Sequence, residues 1–300
     1  MNIQSLNSYQ QKPQISYKGG ANYINKANPA SHYLDKFFNN AAKQTLVKFD
    51  DIMPTLEGKI KTVKIKNISA WDINPEKSQN YVLFLHGMSQ NVSNYQRMYE
   101  KLLSKNQGIF AVEYRGYGVN KKNKVSENKL RKDVELAYNY LTETKGIKPQ
   151  NITVIGHSMG GALATNFASK HPDIKSLILL CPIVKPSFLG QKFKTNKNLG
   201  IGMPNSIKNI TDKFKPLKWL LDFRFNSMSK MKKNTVPTYI IQSRNDSVTT
   251  IGGARILAKV ARRQNILKDF VSLPLGGHKV DSAKIEAISK IFDNMDNFQV

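Results

Sequence analysis

Along this chain the apolar residues fall into short uninterrupted runs: "YVLFLHG" (81–87), "GIFAVEYRG" (108–116), "NITVIGHS" (151–158), "SLILLCPI" (176–183) and "TYIIQS" (238–243), with "FVSLP" (270–274) as a sixth. Runs that do not alternate are the mark of strands buried on both faces of a parallel sheet. Two earlier stretches, "KIKTVKIKN" and "ISAWDINP", alternate instead and predict strands at an exposed sheet edge. Between the runs the period changes. Tyr95, Met98, Tyr99 and Leu102 share one helical face, as do Leu130, Val134, Ala137 and Leu141 in a segment that Ser126 is placed to cap. Strands alternating with helices make right-handed βαβ units. The fold class predicted is therefore α/β: a mostly parallel, doubly wound sheet with helices on both faces and ligands at the carboxyl ends of its strands.

Two segments depart from that pattern. Residues 1–48 are rich in Asn, Gln and Lys and carry no strand signal, so they read as a tail that buries too little apolar surface to fold alone. Within it Leu34, Phe37, Phe38, Ala41 and Thr45 recur at helical spacing behind Ser31, which predicts one helix, packed on the body in the favoured reading and docked or touching a membrane in the other. Residues 185–236 are too many for an ordinary connection and predict an inserted helical cap in a domain running from 49 to 300. Phe214, Leu217, Leu220 and Leu221 give that segment an apolar stripe, with Trp219 and Phe225 read alongside it as facing lipid or substrate.

At 300 residues and 40% hydrophobic content the chain is long enough to bury one sizeable core. Its single cysteine, Cys181, sits in an apolar run, so no intramolecular disulfide forms and the thiol is expected to pack as a small apolar group. No apolar stretch reaches the ~18 residues of a membrane span. The N-terminus also lacks the apolar core of a secretory signal, so a cytoplasmic location is expected, with export by a signal that has no apolar core as the alternative. The formal net charge of +25 comes mostly from lysine spread along the chain. Arginines, which make bidentate contacts to phosphate and guanine, are few, and there is no zinc spacing or helix-turn-helix cue. Nucleic acid is therefore not an expected partner, and no metal is expected either. The lysines of 185–236, opposed only by Asp212 and Asp222, read first as keeping an apolar cap soluble, with a peripheral contact to an anionic membrane as the other reading.

The candidate chemistry centres on Gly156-His157-Ser158-Met159-Gly160, a G-x-S-x-G directly after an apolar run. A strand that turns so sharply into a helix strains the serine backbone and exposes its hydroxyl. A serine becomes a useful nucleophile when an imidazole takes its proton and a carboxylate orients the imidazole. Of five histidines, His32 lies in the tail, His86 ends a strand before the serine, His157 is read as pointing away from the elbow, and His171 ends the following helix. His278 remains, in "SLPLGGHKVD" behind the permissive pair Gly276 and Gly277. For the acid, "TYIIQSRNDSVTT" places Asp246 after a strand that lies between the serine and the histidine; an Asx turn is the other reading of that spot.

With Ser158, Asp246 and His278 in that order, each at a strand's carboxyl end, the chain resembles the α/β-hydrolase family over about residues 55–297. "FLHGM" resembles that family's His-Gly turn, "EYRGYG" the turn of its esterase and serine-aminopeptidase-like branches, and "GHSMGG" a common form of its elbow. The resemblance implies Ser158 as nucleophile, His278 as base and then acid, Asp246 as orienter, and an oxyanion hole from the N–H groups of Met88 and Met159. It also implies that His86 fixes its turn by hydrogen bonds, and that no cofactor is needed. Three features depart from the family pattern: "SVTT" after Asp246 in place of a valine-proline ending, "YGVNKKNK", and the tail and basic cap. The implied activity is a serine hydrolase acting through an acyl-enzyme on a carboxylic ester or thioester of a small molecule, and the apolar stripe of the cap slightly favours a lipid-like or aromatic acyl group. Peptidase or amidase action, and a non-catalytic binding module, are the alternatives. Serine rather than aspartate at 158 argues against dehalogenase and epoxide-hydrolase chemistry.

Overall fold

Strands β1 (Ile60–Ile65), β2 (Ile68–Ile73), β3 (Tyr81–Leu85), β4 (Gly108–Glu113), β5 (Ile152–His157), β6 (Ser176–Leu180), β7 (Thr238–Ser243) and β8 (Leu267–Leu273) join one sheet. Their spatial order is β1-β2-β4-β3-β5-β6-β7-β8. The computed structural model describes residues 51–297 except 75, 121, 122, 124 and 186–224. The expected tail, most of the expected cap and the membrane contact assigned to it lie outside the described residues. β1 and β2 run antiparallel and β2 pairs antiparallel with β4; every pairing from β4 through β3 to β8 is parallel.

Successive strand residues face opposite sides, and the core divides accordingly. Leu83 and Leu85 of β3 join one cluster with Leu130 and Val134 of α2 (Glu127–Asn139), Leu163 of α3 (Met159–Ala168) and Leu257 of α5 (Ile251–Arg263). Val82 and Phe84 join the other, with Met98 and Tyr99 of α1 (Gln96–Leu103) and Ile288 and Ile291 of α6 (Ser282–Asn297). Helices therefore cover both faces, and the parallel strands β3 to β6 are buried along their whole length. Ser126 caps α2 by accepting the Lys129 N–H. No helix among the described residues is long and apolar enough to cross a membrane.

Three details differ from the expectation. β1 alternates as an edge strand does, but β2 is buried throughout, because β1 and β4 flank it on both sides. β8 begins at Leu267, three residues before the apolar run; it is the other edge, where Lys268 and Asp269 face solvent and hide the strand from a hydrophobicity pattern. The end of the expected cap belongs to the body instead. Phe225 is buried rather than facing lipid or substrate, its N–H donates to Glu127, and Met231 of α4 (Ser227–Met231) and Val236 are fully enclosed.

Candidate active site

At the end of β5 the chain reverses into α3 through Ser158, whose φ of 54° and ψ of −113° lie in a region that costs a non-glycine residue on the order of 1–3 kcal/mol. The surroundings hold it there. Its N–H donates to the Leu180 carbonyl at 2.9 Å, and its carbonyl accepts from Ile183 at 3.0 Å and Gly161 at 3.1 Å. Gly156 is required because a Cβ there would lie 2.7 Å from the Gly161 Cα and nearer still to the Gly160 carbonyl.

Ser158 Oγ lies 2.9 Å from Nε2 of His278, and His278 Nδ1 lies 2.8 Å from Oδ2 of Asp246. The structure thus brings together the three residues selected from sequence. Asp246 has further partners that the sequence did not single out. Val248 and Thr249 donate their N–H groups to Oδ1 at 2.8 and 2.9 Å, while the Thr249 hydroxyl and the Gln242 amide reach Oδ2 at 2.8 and 3.1 Å. Burial opposes the Asp246 charge, but the hydrogen bond and charge of His278, with those two N–H groups, outweigh it and hold the carboxyl well below the usual range. "SVTT" thereby acquires a reason. Position 249, where the family pattern carries proline, here supplies both an N–H and a hydroxyl to the acid.

The two turns assigned to the oxyanion hole flank the serine. Met159 begins α3, where a first-turn N–H has no intrahelical acceptor. Met88 follows Gly87, and a Cβ on Gly87 would lie 3.4 Å from the Ser158 Cβ and 3.1 Å from His157 Nδ1. "EYRGYG" braces both turns. Glu113 accepts the Val92 N–H at 3.1 Å and lies 3.4 Å from His86 Nε2; Tyr114 donates to the His86 carbonyl at 3.3 Å. Arg115 grips the buried Asp133, and the Tyr117 hydroxyl reaches the Met159 sulfur at 3.7 Å. His86 itself donates from Nδ1 to the Gly87 carbonyl at 2.7 Å.

His157 does not point away. It is buried, with Nε2 2.8 Å from the main-chain oxygen of His278 and Nδ1 2.8 Å from the Tyr95 hydroxyl. His171 lies past the end of α3, bonded to Glu135.

Cys181, Asp246 and His278 offer ligand atoms within 4.8 Å of one another. As a metal site the trio is poor: burial pushes the thiol up to about 12, and the other two groups already bond each other.

The serine aminopeptidase S33 family model matches residues 76–206. A Mycoplasma pneumoniae protein carrying an esterase/lipase name is 27% identical over 163 residues, 54% of this chain and 60% of that protein. Human alpha/beta hydrolase domain-containing protein 17C is 28% identical over 172 residues, 57% of this chain and 45% of its own. The chain thus spans about half to three fifths of these relatives' lengths. The Pyrococcus furiosus esterase Pf2001 superimposes with a TM-score of 0.64 at 19% identity, covering 83% of this chain and 96% of the esterase. That fold is the α/β-hydrolase fold, and the family match contains the strand, elbow and helix around Ser158.

Proposed function

We propose that the protein is a serine hydrolase that cleaves a carboxylic ester or thioester through an acyl-enzyme. The observation that carries this reading is the hydrogen-bonded line from Ser158 Oγ through His278 to Asp246. Ser158 attacks the acyl carbon as its proton passes to His278 Nε2, and the carbonyl oxygen becomes an oxyanion held by the N–H groups of Met88 and Met159. Asp246, kept ionised, stabilises the imidazolium. The tetrahedral species collapses, the C–O or C–S bond breaks, and the leaving group takes the proton from His278. Water then adds to the acyl-serine as one of its protons passes to His278 Nε2, and that proton goes to Ser158 Oγ as the acyl C–O bond breaks, releasing the acid and restoring Ser158.

The esterase/lipase name of the Mycoplasma pneumoniae relative supports an ester-type substrate. Amide cleavage is the second reading, supported by the serine-aminopeptidase description of the matching family. A fluorophosphonate probe tests the nucleophile: labelling of wild type and not of Ser158→Ala is expected, whereas folded wild type that does not label overturns the proposal. Turnover of p-nitrophenyl esters of increasing chain length, beside aminoacyl anilides, separates the two readings.

A further inference from the structure

His278 follows two glycines with positive φ, Gly276 at 116° and Gly277 at 57°, in a loop whose own conformational preferences are weak. Side chains from elsewhere pin it one residue at a time. Lys284 Nζ donates to the Gly276 carbonyl at 3.2 Å, Asn245 accepts the Gly277 N–H at 2.9 Å, and His157 Nε2 meets the His278 carbonyl at 2.8 Å. A carbonyl only accepts, so Nε2 carries the proton and Nδ1 is the acceptor. The Tyr95 hydroxyl lies 2.8 Å from Nδ1, its one proton shared between that nitrogen and the Gln90 side-chain oxygen, and its oxygen accepts the Gly87 N–H at 3.1 Å. Burial, with the nearby charge of His278, pushes His157 down to about 3, and burial holds the Tyr95 phenol protonated, so this arrangement persists at neutral pH. One chain of hydrogen bonds therefore runs from the Gly87 turn through Tyr95 and His157 to the main chain of His278.

Resting on the serine-hydrolase reading above, we infer that His157 is a positioning residue: it holds the main chain of His278 and, through Tyr95, keeps that residue in register with the turn carrying Met88. It is enclosed and both ring nitrogens are engaged, so it acts on rate through His278 and not by touching substrate.

The test is steady-state hydrolysis of a soluble ester by His157→Leu, His157→Gln and Tyr95→Phe. Expected is a fall in kcat of at least about tenfold in His157→Leu with KM within about twofold, since small displacements of a reacting group are costly while binding is untouched. His157→Gln, which restores an N–H donor, recovers most of the loss. Tyr95→Phe, which keeps the packing volume and the Nε2 bond, loses less. In imidazole 15N spectra, His157 is a fixed Nε2–H tautomer from about pH 5 to about 9. Wild-type kcat in His157→Leu, a loss that glutamine does not restore, a change confined to KM, or a titrating His157 overturns the inference while the wild type still turns over. Wild type that neither labels with fluorophosphonate nor hydrolyses ester overturns the serine-hydrolase reading and this inference together.

Discussion

Gly160 lies so close to Leu85 that a Cβ on it would sit 2.6 Å from the Leu85 carbonyl carbon and nearer still to its oxygen. This approach seats the first turn of α3 on the end of β3, bringing the turn after Ser158 against the turn after Leu85. Backbone cannot yield as a flexible side chain can. Gly160→Ala is expected to cost at least about 2 kcal/mol and to separate those turns. Urea denaturation measures the first effect and fluorophosphonate labelling rate the second; wild-type values for both contradict the expectation.

Removing either end of the proton path is the severest change expected at the site. Ser158→Ala and His278→Ala lose turnover, and Asp246→Asn stays folded with kcat lower by about 10³- to 10⁴-fold, because an amide cannot stabilise the imidazolium. Thr249→Val removes one hydroxyl but leaves both N–H donors to the carboxylate, so a milder loss of about tenfold is expected. Steady-state kinetics with folding checked by circular dichroism would contradict the assignment if Asp246→Asn kept near-normal kcat.

Acid should destabilise the fold in two overlapping windows. Asp246 has a depressed folded pKa, so its contribution is complete above the unfolded value of about 3.9 and is lost as pH falls through the folded one. His157 is held neutral down to about 3. Below the unfolded histidine value of about 6.5 the unfolded chain takes up a proton that the fold refuses, and each further unit costs roughly 1.4 kcal/mol. Unfolding free energy measured in urea should therefore fall as pH drops from about 6.5, and His157→Gln should flatten the upper part of that slope. An equal slope in the variant would assign it to other groups.

Arg115 contacts Asp133 three ways: its main-chain N–H at 3.0 Å, Nε at 2.7 Å and Nη2 at 2.5 Å. The Asp133 side chain has no exposure and burial raises its carboxyl, so Arg115→Ala leaves a carboxylate without its cation. A loss of about 3 kcal/mol is expected, largely recovered when Asp133→Leu is added. Additive losses in that double-mutant cycle would contradict the pairing.

Cys181 is fully buried and its thiol is pushed up to about 12, so it should be inert in the folded protein. Ellman's reagent is expected to react only after denaturation. Labelling of native protein at the rate of a free thiol would contradict this.

How much of this was legible in the sequence follows from which interactions are local. The continuous apolar runs announced β3 to β7, because burial on both faces is recorded in each strand's own residues. Gly156-His157-Ser158-Met159-Gly160 announced its strand-to-helix turn, because a backbone that only glycine neighbours permit must be encoded on the spot. Asp246 and His278 could be chosen because parallel topology gathers the carboxyl ends of all its strands at one edge. β8 was only half visible, since an edge strand takes its order from β7 and not from its own Lys268 and Asp269. The roles of Gln242, Thr249 and Tyr95, and the orientation of His157, left no pattern at all. His157 meets a main-chain oxygen 121 positions away, and every residue type carries that oxygen, so only the folded path of the chain decides which carbonyl stands there.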